Sequence, residues 1–229
     1  MDMYGQYDKS IAQKTIIVVL EIILLWLSWR ILFQHGGDAI LGWFGSENVN
    51  GGIERRIIVF SFSVIVFLRI TFAMFFFVRR KIPWEESMSI PFAFALYYIG
   101  FALFVLTAGR PPDLIDYAGI LIFLFGSFLN TSSELQRHRW KKNPENKGKL
   151  YTEGLFRYSM HINYFGDLLW VTGYAIITRN LFSFIIPVFL FCFFVFFNIP
   201  KLDEHLKSKY GDQFEEWRKR TKRFIPFVY

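Results

Sequence analysis

Five residues whose side chains can bind, orient or move protons fall within fifteen positions: Glu153, Arg157, His161, Asn163 and Asp167. They belong to LYTEGLFRYSMHINYFGD, residues 150–167, which runs directly into an apolar stretch. With a helix beginning near His161 or Asn163, Asn163 and Asp167 lie four apart on one face. An ionisable group at the hydrocarbon boundary is costly, which makes Asp167 a functional candidate with a partner to be named, the alternative being a cap or a salt bridge to a basic loop residue at the interface. One His with no Cys or second carboxylate at ligand spacing does not make a metal site, so no metal is expected.

Two other polar clusters stand beside apolar runs. NTSSELQRHRWKK, from Asn130, carries Glu134 and then Arg137, Arg139, Lys141 and Lys142. Guanidinium groups bind phosphate in bidentate fashion, although a basic cluster at a membrane also serves as a lipid anchor. After the last apolar run come Asp203, Glu204 and His205, then a short amphipathic stretch with Tyr210, Phe214 and Trp217 that has the composition of an interfacial helix. Tyr97 and Tyr98, in the third apolar run, are either packing aromatics or proton donors aimed into a cavity. Arg69 falls mid-span and is expected to face the bundle, paired with an acid such as Glu21, or to snorkel.

The elements that position these residues follow from composition. Of 229 residues, 53% are hydrophobic and 21% aromatic, with 29 Phe, which points to an all-α, polytopic membrane bundle. About six spans are expected: 13–33, 57–78, 90–107, 114–130, 164–178 and 181–199. The last two are separated only by Arg179 and Asn180 and should form a tight hairpin. No small-residue cleavage site closes the first run, so the first helix is expected to be retained. The single Cys192 lies in an apolar run and reads as packing.

Basic residues set the orientation. Lys9, Lys14, the 79–81 triplet, seven between 131 and 163 and eight after 200 total twenty, against Arg55, Arg56, Arg110 and Arg179 on the other side. The bias predicts both termini and the long connection in the cytoplasm. Anionic lipid accounts for the +7 net charge, so no nucleic-acid partner is expected. No Gly-x-Gly-x-x-Gly or phosphate-cradling Gly-rich loop occurs, which argues against a Rossmann or P-loop site.

Gly154-Leu-Phe156, Asn163-Tyr-Phe-Gly166-Asp167, Asp203-Glu204-His205, Lys209-Tyr210-Gly211, Trp217 and Ile225-Pro226 together resemble the carboxy-terminal half of membrane steroid 5-alpha-reductases and sterol reductases. The closest likeness is to the DUF1295-like proteins grouped with the 5-alpha-reductase carboxy-terminal domain. The chain is also similar, more loosely, to isoprenylcysteine carboxyl and phospholipid methyltransferases. The likeness covers residues 114–229, implying a single membrane domain with variable amino-terminal helices (1–113) and a cofactor-binding, catalytic core (114–229). The methyltransferases typically carry Arg-His-Pro and a Glu-Glu pair. Here Met160-His161-Ile162 and Asp203-Glu204 keep part of that pattern, whereas the reductase motif is reproduced.

The reductase resemblance implies an NADPH-dependent reduction of a carbon–carbon double bond in a lipophilic steroid-, sterol- or enone-like substrate. An S-adenosylmethionine-dependent methyl transfer to a lipid is the alternative. In the reductase reading Asp167 donates a hydrogen bond to the substrate carbonyl oxygen, with Tyr97 or Tyr98 as partner. Asn163 orients the nicotinamide carboxamide or braces Asp167. Arg137, Arg139 and Arg157 hold the phosphates, and Glu134, Tyr151, His161, Asp203, Glu204, His205 and Tyr210 complete the cofactor groove. The oligomeric state stays open.

Overall fold

The computed structural model describes residues 8–43, 52–78 and 80–229, so Arg79, one of the basic residues counted for topology, lies outside them. Among the described residues the regular elements are helices: α1 Ile11–Phe33, α2 Gly36–Trp43, α3 Ile53–Phe76, α4 Trp84–Val105, α5 Leu114–Lys141, α6 Ile162–Thr178, α7 Leu181–Tyr210 and α8 Asp212–Arg220. Of these, α1, α3, α4, α5 and α7 are long and apolar enough to cross a membrane. With 17 residues, α6 reaches about 25 Å, near the lower limit for a span. The protein is a polytopic helical membrane protein. Its outward faces are apolar, as at Trp26, Phe92, Leu121 and Phe189, because lipid is the solvent there.

Chain contacts divide the molecule into two compact units. One runs up to Ile120 and includes Tyr174–Ile186; the other comprises Leu121–Gly173 and Pro187–Tyr229. In the first unit α1 packs on α3 and α4. Its buried positions Ile17, Glu21, Ser28 and Leu32 recur at helical spacing, facing a core that includes Val59, Val66, Phe101 and Tyr174. A π-turn in α4, Leu96–Gly100, carries Tyr97 and Tyr98. At one end of this unit the fully buried pair Arg55 and Asp116 is closed by two hydrogen bonds, 2.9 and 2.8 Å. Arg179, at φ 54, adds its guanidinium to Asp116 and Asp113. The expected two-residue turn between the last two spans is thus present. Asn180 caps the first turn of α7 by accepting from the Phe182 amide at 3.0 Å.

The second unit is built on the crossing of α5 and α6. A Cβ added at Gly166 would lie 2.7 Å from the Gly126 carbonyl and 2.6 Å from the Asn130 amide, and one at Gly126 would lie 2.6 Å from the Gly166 carbonyl. The backbones meet there because neither helix has a side chain in the way. The connection 142–161 then folds over the polar end of α5. Here α8 departs from its interfacial composition: Phe214 and Trp217 are buried against Tyr151, Phe156 and Met160. A partner face was available within the protein, so the apolar stripe is used in packing. The chain end completes the unit, with the Met160 and His161 amides donating to the Lys222 and Arg223 carbonyls at 2.8 and 3.1 Å.

Candidate functional site

Asn130, Glu134, Arg137 and Lys141 are spaced i, i+4, i+7 and i+11, which places them on one face of α5. The Gly126–Gly166 crossing brings this face against the first turns of α6. Asn130 Nδ2 donates to Asp167 Oδ1 at 2.9 Å and to the Asn163 carbonyl at 3.2 Å. Trp170 Nε1, one turn further along α6, donates to the same Asp167 oxygen at 2.7 Å. Asn163 Nδ2 donates to Glu134 Oε1 at 3.0 Å, and Arg137 closes on Glu134 at 2.7 Å. The carboxylate dictates which way the Asn163 amide turns, leaving its Oδ1 as an acceptor. Asn163 and Asp167 therefore share a face, as their spacing predicts, and both are oriented by hydrogen bonds from a neighbouring helix.

The start of α6 is fixed from the chain end. Ser159 Oγ donates to the Phe224 carbonyl at 2.6 Å and accepts from the His161 amide at 3.2 Å. His161, only 1% exposed, meets Asp203 Oδ1 through Nε2 at 2.8 Å, and Arg223 Nε donates to Asp203 Oδ2 at 2.8 Å. The imidazole stacks on Tyr164, and Tyr164 on Phe194, at interplanar angles of 6° and 10°. An acid on Nε2 puts a proton there and fixes the ring.

Between these groups lies a pocket lined by Arg137, Lys141, Tyr151, His161, Asn163 and Tyr210, with Phe156, Met160 and Trp217 as apolar walls. Burial, helped by the charge of Glu153, pushes the Tyr151 phenol up, so it remains a donor at neutral pH. The lining offers cations for phosphate or carboxylate, an amide acceptor, and aromatic surfaces for a flat ring. The pocket encloses about 40 Å³, room for water rather than for a dinucleotide. A larger ligand fits only if partly exposed lining groups such as Lys141, Leu206 and Tyr210 give way.

The sequence-derived candidates divide accordingly. Arg137, Tyr151, His161, Asn163 and Tyr210 line this pocket; Glu134 and Asp203 stand behind Asn163 and His161. Asp167 is one turn deeper along α6. Arg139 and Glu204 are exposed, and they and the half-buried His205 are outside the lining; Arg157 borders a different cavity. Tyr97 and Tyr98 belong to the first unit. There Tyr97 packs on Phe94 and Phe101, while the Tyr98 hydroxyl donates to Glu21 Oε2 at 3.4 Å. Glu21, the acid expected for Arg69, is 1% exposed. Sequence reasoning missed Asn130, Trp170 and Arg223. For Asn130 a signal existed: it stands one turn before Glu134 and two before Arg137.

A family model described as a protein of unknown function (DUF1295) matches residues 90–221. A probable O-methyltransferase, ustE, from Ustilaginoidea virens is 36% identical over 92 residues, 40% of this chain and 32% of that protein. The 3-oxo-5-alpha-steroid 4-dehydrogenase 1 of Bos taurus is 32% identical over 110 residues, 48% of this chain and 41% of its own. The delta(14)-sterol reductase erg24 of Schizosaccharomyces pombe is 30% identical over 162 residues, 61% of this chain and 36% of that protein. The chain thus spans well under half the length of each of these relatives.

Proposed function

The chain belongs to the DUF1295 family, and on that premise we propose that it is a membrane-embedded reductase using NADPH to saturate a carbon–carbon double bond conjugated to a carbonyl in a lipophilic, steroid- or sterol-like substrate. The observation that carries this reading is the Asn163–Asp167 pair, held by Asn130, Glu134 and Trp170 beside a cationic pocket. The bovine and yeast relatives, a steroid dehydrogenase and a sterol reductase by name, support it.

When bound, NADPH supplies the hydride, which goes to the β carbon of the enone. Arg137 and Lys141 take phosphate oxygens. Asn163 keeps Oδ1 for an amide N–H, as in a nicotinamide carboxamide, and Tyr151, His161 and Tyr210 bound the ring. The substrate's carbonyl oxygen, on which negative charge would develop, needs a hydrogen-bond donor, and water would supply the proton that ends on the α carbon. Asp167, on the same face of α6 as Asn163, is the candidate donor to that oxygen in its protonated form, through Oδ2, since Oδ1 accepts from Asn130 and Trp170. Apolar helices make a lipid-soluble substrate the natural choice.

Methyl transfer from S-adenosylmethionine is the second reading, favoured by the Ustilaginoidea virens relative and by the His161–Asp203 pair standing where the methyltransferase motif has His and Glu. The two are separated by incubating purified protein with NADPH deuterated at its transferable position and a panel of 4-ene-3-one steroids and other enones. The reductase reading expects deuterium in a saturated product, lost in Asn163→Ala. Methylated lipid formed from S-adenosylmethionine, with no deuterium transfer, would replace it by the methyltransferase.

A further inference from the structure

One wall of the pocket has two faces of opposite character. Phe156 and Trp217 turn toward the pocket, joined by the Trp217 Nε1 hydrogen bond to the Phe156 carbonyl at 3.3 Å. One residue beyond Phe156 is Arg157, and three beyond Trp217 is Arg220. These two border a separate open cavity of about 660 Å³ together with Thr152, Glu153, Gly154 and Thr221. Arg220 donates to Thr152 Oγ1 at 3.3 Å, and the Arg157 guanidinium lies 4.9 Å from the centre of the Tyr158 ring. Neither guanidinium makes an ion pair among the described residues. Two such cations on one cavity, against the single carboxylate of Glu153, leave a site of net positive charge with hydroxyl donors on its rim.

Next to the cations lies an apolar strip that a water-soluble anion has no use for. The Tyr158 ring meets Phe227 at 5.9 Å, and Phe227 and Val228 are 77% and 71% exposed. Tyr158 is four residues before α6, and α8 follows the polar end of α7 after Gly211. Cations whose neighbours are exposed apolar side chains, on a protein that sits in lipid, match an amphiphile that is anionic at one end.

We propose that Arg157 and Arg220, with Thr152 and Thr221, bind the phosphodiester of an anionic phospholipid whose glycerol and acyl chains lie over Tyr158 and Phe227. The bound lipid then braces the outer face of the wall whose inner face is Phe156 and Trp217. This assignment does not depend on which reaction the pocket supports.

The test is lipid retention by the full-length protein, purified in detergent containing equal phosphatidylglycerol and phosphatidylcholine and measured by native mass spectrometry. Wild type is expected to keep phosphatidylglycerol preferentially. Arg157→Gln with Arg220→Gln should reduce that retention about tenfold, and Phe227→Ser should weaken it with no change in charge. Lys219→Gln, an exposed cation on the same helix but outside the cavity, should leave it intact. Unfolding temperatures of all variants within a few degrees of wild type establish that folding is not the cause. Equal retention of both lipids, an equal loss in Lys219→Gln, or retention in the double variant would each overturn the site. So would displacement of the lipid by millimolar inorganic phosphate together with indifference to Phe227→Ser, which would make it a site for a free anion.

Discussion

Asn130 links two groups whose own sequence neighbourhood does not explain how they are held. Its single Nδ2 reaches both Asp167 Oδ1 and the Asn163 carbonyl. Asn130→Ala removes a donor from each and should lower unfolding free energy by about 0.5–1.5 kcal/mol, the usual net worth of a hydrogen bond, since Trp170 still donates to Asp167 Oδ1. Chemical denaturation of the purified variant measures this, and wild-type stability would show that the bridge does not hold the pair. Asn163 and Asp167 were legible in the sequence because polar residues four apart inside an apolar run demand a reason. Asn130 was overlooked although its helical spacing to Glu134 and Arg137 was legible, because an Asn at the end of an apolar helix reads as its exit into water. Trp170 was hidden for a related reason: an indole in an apolar run reads as packing until its N–H is seen on a carboxylate.

At the scale of elements, the α5–α6 crossing decides whether the polar ladder forms. Gly166→Ala places a Cβ within 2.7 Å of backbone on α5, so the helices must part by some tenths of an ångström or more. Destabilisation of about 1–3 kcal/mol is expected, together with loss of ligand response at Asn163, because the hydrogen bonds that Asn130 donates and that Glu134 accepts lengthen as the backbones separate. A variant as stable as wild type, with an unchanged ligand response, would show that the close approach is dispensable. Five of the six expected spans coincide with helices long and apolar enough to cross a membrane, the sixth being the shorter α6, and the Arg179–Asn180 turn was readable too. The destination of α8 was not. Its amphipathic pattern is equally compatible with a lipid surface and with a protein surface, and only the packing of Phe214 and Trp217 distinguishes them.

For the whole molecule, the family and the polytopic helical architecture agree with the sequence reading, while orientation remains a proposal carried by the basic residues. Twenty cations on one side against four on the other predict that tags at both ends are cleaved by protease in inside-out vesicles and protected in right-side-out ones. Cleavage of one end only in inside-out vesicles and of the other only in right-side-out ones would require an odd number of spans. The most direct test of the central claim is thermal unfolding of the detergent-purified protein with NADPH, NADH, S-adenosylmethionine or no ligand. At a hundred times its dissociation constant a ligand stabilises by about 2.7 kcal/mol. NADPH is expected to raise the midpoint of wild type and to do so far less in Asn163→Ala. Stabilisation by S-adenosylmethionine with none from NADPH would contradict the reductase assignment.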